Sequence, residues 1–144
     1  MTPPCEFVDT NVLIYAFADD PRSGAAEALL AKGCATSVQA LNEFANVGRR
    51  KLLMDWREVR EALDAIRSLV KPIAPLDLET HLAGVELAER YRLSVYDALM
   101  LAAALRLQCG VFWSEDMQDG LVVDGRLTIR NPFAVGSFWP LTVA

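Results

Sequence analysis

The sequence predicts an α/β fold with a central, mostly parallel sheet flanked by helices. Short apolar runs alternate along the chain with longer segments of helical periodicity. Capping residues and glycine or proline stops fall between these segments. Strands that alternate with helices pair in parallel and carry the helices on the faces of the sheet. The chain has 144 residues, of which 53% are apolar and 23% charged, which suits a single domain, residues 1–144, with its own core.

Each element has a local reason. Residues 5–8 read as a strand that ends at Asp9, and residues 11–18 as a short helix. Residues 23–32 form a helix that Gly33 stops. Residues 34–36 are a short strand. Ser37 then caps a helix through about Lys51, with Val38, Leu41, Ala45 and Gly48 on one face. Residues 55–70 place Trp56, Val59, Leu63, Ile66 and Val70 at helical spacing, and Pro72 closes that helix. Residues 73–76 make a strand, and Asp77 caps a helix through Tyr91. Residues 94–107 form a further helix closed by Gly110, followed by a strand at 111–113. Residues 121–123 and 127–129 flank Asp124-Gly125 as a small hairpin. The tail from Phe133 is apolar and aromatic. No internal repeat or low-complexity segment interrupts the series.

Composition excludes several classes. Met1 to Glu6 carries Pro-Pro and an acid where a signal peptide would be basic. The longest apolar run, 98–105, is far shorter than the ~20 residues of a membrane span, so a soluble, cytoplasmic protein is expected. The three cysteines, Cys5, Cys34 and Cys109, each lie near the start of an apolar stretch. They are expected to be small core residues in a reducing compartment, not disulfide partners or zinc ligands. His81 is the only histidine, which leaves no histidine-based metal site. The net charge of −5 and pI of about 4.8 argue against a general nucleic-acid binder. They leave room for an enzyme with a local basic patch or one that binds a basic partner.

In parallel sheets, ligands bind outside the carboxyl ends of the strands. Asp9 ends the first strand inside the apolar run FVDTNVLIYAF, where a lone carboxylate is costly unless paired. Asp116 follows the strand at 111–113. Asp97 opens the helix that leads into that strand, and so starts at the same edge. Glu43 lies six residues past the Ser37 cap, ~9 Å along the helix axis, and reaches the set if that helix leans inward. Each acid also has a structural reading. Asp9 suits a helix cap, Glu43 a solvent-facing position, Asp97 the third helical position of a capping box begun by Ser94, and Asp116 with Asp119 a polar loop. Together they say more. Two like charges ~4 Å apart repel by ~4 kcal/mol at an effective dielectric near 20. Several carboxylates at one edge therefore call for a cation. An oxygen-only donor set suits Mg²⁺ or Mn²⁺, and the matching chemistry is phosphodiester hydrolysis by metal-bound water.

The four stretches FVDTNVLIYAF, SVQALNEFANV, YRLSVYDALMLAAAL and FWSEDMQDG, in this order and spacing, resemble the PIN-domain family. Within it they resemble the toxin ribonucleases of VapBC-type toxin–antitoxin pairs. The resemblance runs from Phe7 to about Phe133 and implies a PIN-like three-layer fold. It implies metal-binding and catalytic roles for Asp9, Glu43, Asp97 and Asp116. It gives supporting roles to Asn11 and Ser114, and to Asp119 in those members that carry an additional acid. Family members are Mg²⁺- or Mn²⁺-dependent endoribonucleases, usually homodimers, held inactive by a small antitoxin.

Other features have two readings each. Arg49, Arg50 and Lys51 could meet RNA phosphates or serve the helix dipole. Arg57, Arg60 and Arg67 read as a solvated face. Trp56, Leu63, Ile66 and Phe138-Trp139-Pro140-Leu141 carry apolar surface for a dimer or antitoxin interface, or for the core. A phosphatase using Asp9 would want a second acid where Asn11 stands. A receiver-type phosphorylation switch would want further adjacent acids and a late lysine. A non-catalytic binding module would not need the acids to stay together.

Overall fold

A computed structural model describes residues 5–134. In chain order the elements are β1 (Cys5–Val8), α1 (Thr10–Ala16), α2 (Ser23–Lys32), β2 (Thr36–Ser37), α3 (Val38–Arg50), α4 (Trp56–Leu69), β3 (Ile73–Ala74), α5 (Leu78–Tyr91), α6 (Val95–Arg106), β4 (Cys109–Trp113), β5 (Val122–Val123) and β6 (Leu127–Arg130). The main sheet runs β1-β4-β6-β5, with β1, β4 and β6 parallel and β5 antiparallel to β6. A second pair, β2 with β3, is parallel and is tied to β1 by a bridge between Phe7 and Ala35. The mostly parallel α/β architecture is thus the one the sequence predicts.

Local chemistry explains the boundaries. Ser37, Asp55, Asp77 and Ser94 each accept a backbone N–H of the helix they open. Gly33 ends α2 with φ of +101°, a conformation that L side chains rarely adopt. Asp124 and Gly125 both take positive φ between β5 and β6, as a tight hairpin turn requires.

The core lies between the sheet and its helices. Phe7 and Phe112 stack at 5.0 Å across β1 and β4. In α6, Ala98 through Ala104 are all buried, so this helix is apolar on every side and enclosed. Small residues let its neighbour come close. A Cβ built on Gly84 of α5 would lie 2.7 Å from Leu99 Cδ2 and 3.2 Å from Leu99 Cα.

Three expectations need correction or restriction. The Cys5 and Cys109 sulfurs are bonded to each other, because the β1–β4 register sets these residues side by side with Cα atoms 4.2 Å apart. Only Cys34 is the free, buried core residue expected. The fully buried face of α3 carries Ala40, Phe44 and Gly48, whereas Val38, Leu41 and Ala45 are half-buried. Phe44 has the largest apolar surface on this helix and takes the inward position. Trp56 is exposed, while Ile66 is buried and Leu63 packs at the core's edge. The segment Phe138-Trp139-Pro140-Leu141 lies outside the described residues.

Gly84→Ala should therefore destabilise the protein by about 1–3 kcal/mol, although alanine is the better helix former. Urea unfolding checks this; an unchanged or higher midpoint would mean that α5 and α6 are not in the close contact described.

Candidate active site

The register of β1 against β4 builds the site. Val8 pairs with Trp113, so the residues that leave the two strands, Asp9 and Ser114, emerge together at the carboxyl edge. The Asp9 amide donates to the Trp113 carbonyl at 3.0 Å. The Ser114 hydroxyl donates to Asp9 Oδ2 at 2.7 Å, and its oxygen accepts from the Asp116 and Met117 amides at 3.2 and 3.3 Å. One fully buried serine thus holds Asp9 and shapes the turn that carries Asp116.

Asp9 occupies the N-cap position of α1, yet its side chain makes no capping bond. Its carboxylate is instead sunk in the protein, with the residue only 4% exposed. Burial pushes its pKa up from the ordinary 3.8 to about 7; the Ser114 hydroxyl and the Thr10 amide oppose the rise, and the charges of Asp97 and Asp116 add to it. Asp97 is also raised, chiefly by burial, with the neighbouring Ser94 opposing and Asp116 adding. Glu43 is raised by burial and further by Asp97, against a hydrogen bond from Gln39. These couplings link the set in space. Asp97 acts on both Asp9 and Glu43, and Asp116 acts on Asp9 and Asp97.

Neighbouring side chains hold the outer members. Asn11 Nδ2 donates to Asp116 Oδ2. Gln39 Nε2 donates to Glu43 Oε2 at 3.1 Å. Asp119 points elsewhere, with its Oδ1 accepting from the Asn131 amide at 2.9 Å beyond β6. Among the described residues, no three of these acids already stand close enough together to close around one ion. The donor chemistry nonetheless fits a hard divalent cation. Asp9 is a buried carboxylate whose charged form is disfavoured, and the added charges of Asp97 and Asp116 worsen its position.

A second network escaped sequence reasoning. The Arg22 guanidinium pairs with Glu115 at 2.8 Å and with Asp20 at 2.8 Å, and lies 4.0 Å from the centre of the Tyr15 ring. The Tyr15 hydroxyl donates to Glu115 Oε1 at 2.6 Å. This clamp fastens the residue next to Asp116 onto α1 and the start of α2. Of the basic residues with an RNA reading, Arg49 is already engaged, and two of the arginines read as a solvated face are ion-paired. Arg49 donates to the Met54 carbonyl at 3.0 Å and lies over the Trp56 ring, while Arg57 and Arg67 pair with Glu61 and Asp64.

The model of the PIN domain family matches residues 7–118, and the chain belongs to this family. Nothing matches among curated proteins. Among solved structures, a toxin–antitoxin complex from Klebsiella pneumoniae is 20% identical with a TM-score of 0.68, over 90% of this chain and 99% of that one. VapC20 from Mycobacterium tuberculosis, described as a sarcin-ricin loop cleaving toxin, is 24% identical with a TM-score of 0.60, over 74% and 86%. VapBC2 from Rickettsia felis, bound to a DNA fragment from its promoter, is 20% identical with a TM-score of 0.64, over 88% and 98%. Among the described residues, no helix is long and apolar enough to cross a membrane.

The raised pKa of Asp9 has a consequence for stability. Between about pH 4 and pH 7 the folded chain holds a proton that the unfolded chain has lost, so stability falls as pH rises through that window and levels off above it. Asp9→Asn keeps an oxygen for Ser114 and removes the charge. In EDTA it should melt above the wild type at pH 7.5, by an amount on the order of a few kcal/mol, and the gap should shrink by pH 5. A gap of equal size at both pH values, or a less stable variant at pH 7.5, would count against a buried, strained carboxylate.

Proposed function

We propose that this chain is a metal-dependent endoribonuclease that hydrolyses RNA phosphodiester bonds with a metal-activated water. We further propose that it is the toxin of a toxin–antitoxin pair, using Mg²⁺ or Mn²⁺, acting in the cytoplasm as a homodimer and restrained by a small antitoxin protein. One observation carries the catalytic part. Asp9 is buried at the carboxyl edge of the sheet with its charged form disfavoured, and Asp97 and Asp116 add negative charge where a cation would relieve it. Membership of the PIN family supports the nuclease reading. The shared fold with proteins described as toxins, over most of both chains, supports the toxin reading.

Asp9, Asp97 and Asp116, with Glu43 beside Asp97, would hold the ion. When bound, it would polarise the scissile phosphate and lower the pKa of a water molecule. The chain's own side chains do the positioning. Ser114 orients Asp9, Asn11 orients Asp116, and Gln39 orients Glu43. The Tyr15–Arg22–Glu115 clamp limits the freedom of the turn that bears Asp116. No side chain has to act as the nucleophile.

Exposed apolar residues support the partner reading. Leu78, Leu82 and Val85 stand at i, i+4 and i+7 on the outer face of α5. Leu52, Leu53 and Trp56 form a second exposed group at the entry to α4.

Purified protein should cleave RNA with Mn²⁺ and not with EDTA. Asp9→Asn or Asp97→Asn should lower the rate on the order of a hundredfold or more, about 3 kcal/mol in the barrier, with an unchanged far-ultraviolet dichroism spectrum. Full activity in either variant would reject the assignment. Sedimentation across a range of concentrations should give a dimer mass; a monomer at every concentration would reject the homodimer.

A further inference from the structure

Beside the acids lies an open groove of about 510 Å³, lined by Gln39, Asn42, Glu43, Asn46 and Tyr96. The residues contributed by α3 stand at i, i+3, i+4 and i+7, so they form one polar stripe along the helix. Tyr96, from the first turn of α6, closes the other side. It is 63% exposed, although it directly precedes Asp97 in the chain. Glu43 belongs to this groove and also feels the charge of Asp97, so the groove opens onto the acidic site.

The lining holds three amides, one carboxylate and one phenol, and no cationic side chain. Such a surface has little to offer a phosphate backbone, whose recognition rests on Lys and Arg. A nucleobase is different. Its face stacks on an aromatic ring whatever the local charge, and its edge pairs with amide donors and acceptors. Gln39 is committed to Glu43, which leaves Asn42 and Asn46 to present the amides. We propose that Tyr96 is a specificity-determining residue that stacks an unpaired base of the RNA beside the scissile phosphate, with Asn42 and Asn46 hydrogen-bonding that base's edge. This rests on the ribonuclease reading above. It also gives an acidic protein a route to RNA that does not depend on net charge.

Two measurements test it. In cleavage of a single-stranded oligoribonucleotide with Mn²⁺, Tyr96→Ala should raise KM roughly tenfold or more with kcat within about twofold, and Tyr96→Phe should keep the wild-type KM. In EDTA at low salt, an oligoribonucleotide carrying 2-aminopurine should be quenched by the wild type and by Tyr96→Phe but not by Tyr96→Ala. Its duplex should not be quenched. A wild type that quenches the probe but cuts no RNA supports the stack and rejects only the nuclease reading. Cleavage and quenching by Tyr96→Ala at wild-type levels overturn the stack alone, and so does equal quenching of the duplex. A Tyr96→Ala variant that handles RNA normally but changes oligomeric mass also overturns it, because Tyr96 is then a protein contact. The exposed position of Tyr96 makes a folding failure of these variants unexpected, and their melting curves should match the wild type.

Discussion

Burying the Asp9 carboxylate is the constraint on which the rest of the site depends. An ionised carboxylate in an apolar setting costs several kcal/mol unless it is paired. Here the serine that partners it is supplied by strand register: with Val8 opposite Trp113, Ser114 can stand nowhere else. The same hydroxyl then receives two amides of the following turn, so Asp116 is placed by the interaction that holds Asp9. One pairing between two parallel strands thus positions two acids that are distant in the chain.

Asp97 arrives by a separate route. It stands in the first turn of α6, where the helix dipole favours a negative charge and the Ser94 hydroxyl receives its amide. That local support is opposed by burial and by Asp116, and the opposition prevails. The alanine-rich body of α6 is what brings this charge to the site, because small side chains let the helix lie enclosed against both the sheet and α5. Part of the stability gained in that packing is given up at the acidic edge, the trade seen wherever a site must be poised for a ligand.

Much of this was legible in the sequence because topology reads from local signals. Caps at Ser37, Asp77 and Ser94, the stop at Gly33 and the Asp124-Gly125 turn each mark a boundary. Parallel alternation then sends Asp9, Asp97 and Asp116 to one edge. Glu43 was harder. Apolar residues occur around much of α3, and the choice of inward face turned on Phe44, whose bulk outweighs the smaller Val38, Leu41 and Ala45. The actual face leaves Glu43 half-buried and within reach of the charge on Asp97. The Cys5–Cys109 bond was not legible, since it follows from register between strands whose cysteines are 104 residues apart. The clamp of Tyr15, Arg22 and Glu115 was hidden for the same reason: its members are ordinary surface types until the fold brings them together.

The acids Asp9, Glu43, Asp97 and Asp116 at the site account for part of the acidic composition. On the proposed reading, the buried Asp9 carboxylate is the one a divalent cation would pair with. Electron paramagnetic resonance of free Mn²⁺ tests that pairing most directly, because bound ions leave the free-ion signal. Titration with wild-type protein should remove that signal, saturating at one or two ions per chain, and Asp9→Asn should weaken the binding tenfold or more. A wild type that leaves the Mn²⁺ signal unchanged, or an Asp9→Asn variant that binds as tightly, would contradict the account.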